Sequence, residues 1–230
     1  MLKEMGQLEE SRPLLEKVLQ ARREALGDRH PDTLIAIGNM GQLLQDMGQL
    51  EEARPLYTEA LQARREALGD CHLDTLTSIN NMGQLLKDMG QLKEARLLLE
   101  EVLQASRETL GDRHPSTLAL TGNMGQLLQD MGQLAEARPL YEEDLQAQRE
   151  TLGDRHPSTL ISIYNLGALL EEQGMLAEAI SLFTEELDGL VVLFGMRHQE
   201  THDSAMHLVE LLHSSGQRDE AEALAAKHGM

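Results

Sequence analysis

The chain repeats itself every 42 residues, so it must fold by stacking one small unit on the next rather than around a single closed core. Gly6, Gly48, Gly90, Gly132, Gly174 and Gly216 fall at that interval. So do His30, His72, His114, His156 and His198, and Thr33, Thr75, Thr117, Thr159 and Thr201. The segments starting at Arg22 and Arg64 agree at most positions, which points to duplication. Cut at this period, the 230 residues make one array. It has a partial repeat at 1–21, full repeats at 22–63, 64–105, 106–147 and 148–189, and a divergent terminal repeat at 190–230.

Each unit reads as two helices. Pro31 presets φ for a first turn, and Asp32 sits at the positive end of the helix dipole. Leu34, Ile37, Met40, Leu43 and Leu44 follow at helical spacing. Gly48 suits a left-handed stop. Leu50, Ala53, Leu56, Tyr57, Ala60 and Leu61 then mark a second helix that runs to Gly69. Residues 1–21 match the end of a first helix, a turn at Gly6 and a second helix. Pro13, Pro55 and Pro139 fall inside second helices and should bend them slightly.

Composition restricts function. Trp is absent and aromatics are 2% of the chain, so the core is built from Leu, Ala, Met and Ile. A net charge of −19 argues against nucleic acid or an anionic membrane surface as partner. Cys71 is the only cysteine, which excludes an intrachain disulfide and suits a reducing, cytoplasmic setting. The N-terminal MLKEMGQLEE lacks the apolar stretch of a signal peptide. No apolar run approaches the roughly 20 residues of a membrane span. Phosphate-loop, GxSxG and HExxH motifs are missing, and no carboxylate pair can be nominated for acid–base work, so neither enzymatic activity nor a cofactor is expected.

The unit resembles the tetratricopeptide repeat, through Ile37, Met40-Gly41, Leu44, Ala53 and Tyr57 in the first full repeat. Met124-Gly125, Leu128, Ala137 and Tyr141 carry it in the third, and Leu166-Gly167, Leu170, Ala179 and Phe183 in the fourth. The 42-residue length and the LGDRHP(D/S)T linker are similar to the long repeats of kinesin light chain and nephrocystin. That resemblance implies an all-α, right-handed superhelix of stacked antiparallel helix pairs, an α-solenoid serving as a protein-interaction scaffold. The sequence also departs from the pattern. A small residue expected in the second helix is Ala60, Val102, Asp144 and Glu186 in turn, which predicts looser packing in the later units. The fifth unit puts Val209 where the glycine belongs and Ala225 where the aromatic belongs.

In such arrays the first helices line a concave groove, so their non-core positions are the candidate site. Asn39, Asn81, Asn123 and Asn165 hold one such position. Related arrays place there an amide that bonds a bound peptide's backbone, to which it offers both donor and acceptor. Gln42, Gln84 and Gln126 follow one turn on, with Ala168 breaking the row, and then Asp46, Asp88, Asp130 and Glu172. The acidic row predicts a basic peptide rather than the acidic, Trp-containing peptides of kinesin light chains. Recurrence alone is weak support, because duplication copies every residue whether or not it has a role.

The periodic histidines read as loop residues bonding backbone at the start of each first helix. Equivalent atoms in stacked units lie roughly 10 Å apart, too far to share a metal ion. Leu190, Val191, Val192, Leu193 and Phe194 replace polar stretches such as Arg22–Leu26. They are either an interface patch or packing beneath the fifth unit. With no capping helix evident, self-association through exposed ends, or a place within a larger signalling protein, is the alternative to peptide binding.

Overall fold

The computed structural model describes the backbone of residues 2–229 and the side chains of residues 8–229. It divides into two compact units, residues 1–112 and 113–230. The first holds α1 (Leu2–Leu26), α2 (Pro31–Asp46), α3 (Leu50–Leu68), α4 (Leu73–Asp88) and α5 (Leu92–Leu110). The second holds α6 (Pro115–Asp130), α7 (Leu134–Leu152), α8 (Pro157–Glu172), α9 (Leu176–Phe194), α10 (Gln199–Ser214) and α11 (Arg218–His228). No strand occurs among the described residues. Within each unit every helix packs on the next in sequence, giving the helix hairpins α2/α3, α4/α5, α6/α7, α8/α9 and α10/α11.

Local chemistry sets the helix ends. His30 Nδ1 accepts the Asp32 amide at 3.2 Å, so the imidazole satisfies one of the donors a helix start leaves open. His72, His114 and His156 repeat that cap on the amides of Asp74, Ser116 and Ser158. At His198 no side-chain cap forms, and the ring stacks on Phe194 instead, with centroids 4.7 Å apart. Gly48, at φ +73°, ends α2. The amides of Gly48 and Gln49 turn back onto the carbonyls of Gln45 and Leu44, both at 2.8 Å, which reverses the chain into α3.

Close contact between the two helices of a hairpin depends on a second glycine. A Cβ on Gly41 would lie 2.7 Å from the Tyr57 ring, and one on Gly125 would lie 2.7 Å from Tyr141. Gly167 seats Phe183 and Gly83 seats Leu99 in the same way. Tyr57, Leu99, Tyr141 and Phe183 are essentially fully buried, each stabilising by about 1.5–3 kcal/mol through removal from water. In the fifth hairpin this pair of positions holds Val209 and Ala225, which moves volume from the second helix to the first.

Two expectations are corrected. α1 runs unbroken through Gly6, where a turn was predicted. Glycine inside a helix costs only about 1 kcal/mol, which leaves the helix free to continue through it. Nor do the later units loosen at the small-residue position. Asp144 and Glu186 are 4% and 7% exposed, and each accepts a hydrogen bond from a serine eighteen residues on, Ser162 at 2.5 Å and Ser204 at 2.7 Å. Both carboxylates are therefore buried with hydrogen-bond partners. The helices also continue through Pro13, Pro55 and Pro139.

Candidate functional site

Three arginines join successive second helices through ion pairs. Arg23 Nη2 meets Glu59 at 2.7 Å and Arg65 Nη2 meets Glu101 at 2.9 Å in the first unit. Arg149 Nη2 meets Glu185 at 2.6 Å in the second. The first helices are left almost without cations: across α2, α4, α6, α8 and α10, Lys87 is the only lysine or arginine. Any open face built from them is therefore acidic.

The predicted rows lie on these helices. In the first unit, Asn39, Gln42 and Asp46 on α2 are exposed; on α4, Asn81 and Gln84 are half-buried and Asp88 is exposed. Gln42 donates to Asp46 at 2.8 Å, while Gln45 reaches across to Asp88 at 2.5 Å and also accepts from Tyr57. Gln84 stands apart, its amide nitrogen buried without an acceptor among the described residues. In the second unit, Gln126 donates to Asp130 at 3.1 Å and Gln129 bridges to Glu172 at 2.8 Å. The acidic row is thus hydrogen-bonded by glutamines, which orients its carboxylates without cancelling their charge.

The second unit brings the amides together. A cleft of about 330 Å³ opens between α6 and α8 over α7, and Asn123, Gln126 and Asn165 lie on its walls beside Ala119, Gly122 and Gln148. Asp144 faces the same cleft, its carboxyl pushed above the usual range by burial and held back in part by hydrogen bonds from Ser162 and Gln148.

A larger cleft, about 610 Å³, opens between α8 and α10 over α9. Leu160, Ile161, Tyr164, Leu190 and Phe194 form its apolar walls, and Glu186, Glu200, Asp203 and His207 contribute its polar groups. Burial raises the Glu186 carboxyl above its ordinary value, against the hydrogen bond from Ser204 and the nearby His207. The imidazole of His207 bonds Glu171 at 3.0 Å and packs edge-on against Phe183, with centroids 4.6 Å apart.

Sequence reasoning missed His207 as a site residue. It lies 42 residues beyond Asn165 and is the fifth member of the asparagine row, a relation visible by subtraction alone. The apolar Leu190–Phe194 segment divides between roles. Leu190 is buried, Val191 half-buried, and Val192, Leu193 and Phe194 exposed. Phe194 turns into the α8/α10 cleft, while Leu193 lines a separate hollow beside the Gly153–Pro157 linker.

The tetratricopeptide repeat profile matches residues 1–66, 35–108, 74–147 and 116–190, most of the chain. The chain belongs to the tetratricopeptide repeat family. Such repeats mediate protein–protein interaction or assembly. Among solved structures, the array is similar to the nearly identical TPR-like repeats of a Podosopora anserina protein described as a putative kinesin light chain. The two are 29% identical, with a TM-score of 0.75 over 86% of this chain and 94% of that one. It also shares its fold with BtubC (BKLC) from P. vanneervenii, at 18% identity, with a TM-score of 0.82 over 96% of this chain and 89% of that one. MamA (41-end) from Desulfovibrio magneticus RS-1 shares it at 17% identity, with a TM-score of 0.59 over 89% and 95% of the two chains. No curated protein matches the chain significantly.

Among the described residues, no group of three or more His, Cys, Asp or Glu side chains is arranged to hold a metal ion, and Cys71 is exposed. No described helix is long and apolar enough to cross a membrane.

Proposed function

We propose that the array is a non-catalytic scaffold that holds an extended polypeptide along its first helices. Asn123 and Asn165 would bond the guest's main chain in the second unit, and Asn39 and Asn81 would do the same in the first. The reading is carried by the α6/α8 cleft, whose walls carry two asparagines and Gln126 at successive-repeat spacing. Amides suit this task because each offers a donor and an acceptor, as a peptide backbone does. The row of Asp46, Asp88 and Asp130, on helices with one lysine among them, favours a guest that is basic overall. A cytoplasmic location fits a single exposed thiol and remains part of this proposal.

The test is binding of the intact chain to an immobilised panel of fifteen-residue peptides of graded charge, with Asn123→Ala/Asn165→Ala beside it. Loss of backbone contacts should weaken capture about tenfold or more while circular dichroism stays unchanged. Capture of the same peptides at unchanged strength by the double variant would refute the asparagine contacts. Preferential capture of acidic peptides would refute the charge argument.

A further inference from the structure

The two clefts of the second unit are one site repeated. Every position lining the α8/α10 cleft, moved back 42 residues, lines the α6/α8 cleft. Their contents differ in a consistent direction. On the walls, Ala119 gives way to Ile161, Gly122 to Tyr164, Gln148 to Leu190 and Leu152 to Phe194. On the rim, Ser158 gives way to Glu200 and Ile161 to Asp203. The walls have become apolar and aromatic while the rim has become acidic, and the volume has risen from about 330 to about 610 Å³.

We propose that the α8/α10 cleft is the anchor pocket for a peptide bearing a bulky apolar or aromatic side chain next to lysine or arginine. The inference rests on the groove reading above and assigns the guest's chemistry at one point along it. Ile161, Tyr164 and Phe194 are 62%, 44% and 45% exposed, so their apolar surface lies open to a guest. A side chain of Leu or Phe size would cover them between Leu160 and Leu190. Glu200 and Asp203 stand on the α10 side, and no lysine or arginine lines the cleft to oppose a cation. A guest ammonium or guanidinium would find these carboxylates and the face of Tyr164 together. His207 bonds Glu171 and packs against Phe183, which holds its ring as part of the wall. A second copy of this chain is a poor occupant, because a net charge of −19 opposes its approach to an acidic rim.

Fluorescence anisotropy with labelled nine-residue Gly/Ser peptides tests this on the full chain at about 0.1 M salt, where the Debye length is about 10 Å. The peptides carry Lys-Phe-Lys, Lys-Ala-Lys or Glu-Phe-Glu at their centre. The first should bind at least about tenfold more tightly than either of the others, since anchor residues carry most of such affinities. Ile161→Ala/Tyr164→Gly rebuilds the wall of the preceding repeat, and Glu200→Gln/Asp203→Asn discharges the rim. Each should cost Lys-Phe-Lys binding about tenfold or more. Equal or tighter binding of Glu-Phe-Glu, or unchanged affinity in both variants, overturns the proposal. So does self-association that Ile161→Ala/Tyr164→Gly abolishes, because the occupant would then be another copy. Asn123→Ala/Asn165→Ala separates the two readings. Affinity kept there but lost in the cleft variants sinks the groove contacts alone, and the reverse pattern sinks the anchor alone.

Discussion

Gly41 and Gly83 occupy the same position in successive repeats of the first unit, yet they should answer the same substitution differently. A methyl group on Gly41 would meet Tyr57 at 2.7 Å from Cε1, 3.0 Å from Cδ1 and 3.1 Å from Cζ. Carbon atoms rest near 3.5–4.0 Å, so the ring would have to retreat by about 0.5–1 Å. It has little room to do so: Tyr57 is 2% exposed and its hydroxyl donates to Gln45 at 3.1 Å. Overpacking of this kind costs about 1–3 kcal/mol, and the gain in helix propensity from Gly to Ala returns about 1 kcal/mol. Gly41→Ala should therefore destabilise by about 1 kcal/mol. A methyl on Gly83 would meet Leu99 at 2.8 Å from Cδ2 and 3.0 Å from Cγ, and a leucine side chain can shift its rotamer where a rigid ring cannot. Gly83→Ala should therefore cost less than Gly41→Ala. Urea unfolding followed by circular dichroism reads both changes. Tyr57→Leu, which copies the second repeat, should recover most of the loss when combined with Gly41→Ala, a coupling of about 1 kcal/mol. If Gly83→Ala costs as much as Gly41→Ala, or Tyr57→Leu recovers nothing, the ring is not what excludes the methyl group.

His156→Ala should destabilise by about 0.5–2 kcal/mol and speed hydrogen exchange at the Ser158 amide that His156 caps, whereas His198→Ala should leave the start of α10 unchanged. Asp144 and Glu186 have carboxyls raised by burial, so ionising them costs folding free energy above the unfolded carboxylate range near 4. That cost is relieved as pH falls through the raised values, so thermal stability should climb as the pH is lowered from 7. Lower net repulsion acts in the same direction, so the decisive measurement is the flatter pH profile of Asp144→Asn/Glu186→Gln, which would refute this cause if it matched the parent. Arg149→Ala removes a half-exposed bridge to Glu185 and should cost about 0.5–1 kcal/mol in low salt, a loss that calorimetry should find reduced at about 1 M salt.

Most of the fold can be read from the residues because each repeat states its boundaries in local chemistry. Glycine at position 48 needs a left-handed turn, histidine at position 30 caps a helix, and Gly41 with Tyr57 fixes how closely two helices approach. None of this needs long-range information. What stayed hidden depended on neighbours. Gly6 has the same identity as Gly48, yet α1 runs straight through it. Asp144 and Glu186 look misplaced in their own helix, and only the following repeat supplies Ser162 and Ser204 as partners. Of the candidate site, the asparagine row and its acidic companions could be read from periodicity, but the clefts could not. Which positions of α6, α8 and α10 face one another depends on packing, and so does the return of Phe194 towards Ile161.

Recurring and departing residues carry different weight in an array made by duplication. A residue copied into every repeat, such as Thr33 or Gly48, reports the frame and says little about a partner. Departures separate into two kinds. Val209 and Ala225 change together within one hairpin, at the positions that Gly41 and Tyr57 hold in the first. Ile161, Tyr164, Phe194, Glu200 and Asp203 come from three helices and have no core task, since each is exposed. They meet on the walls of one opening, apolar groups within and carboxylates at the rim. No lysine or arginine lines that opening, and a cationic guest is what would complete it.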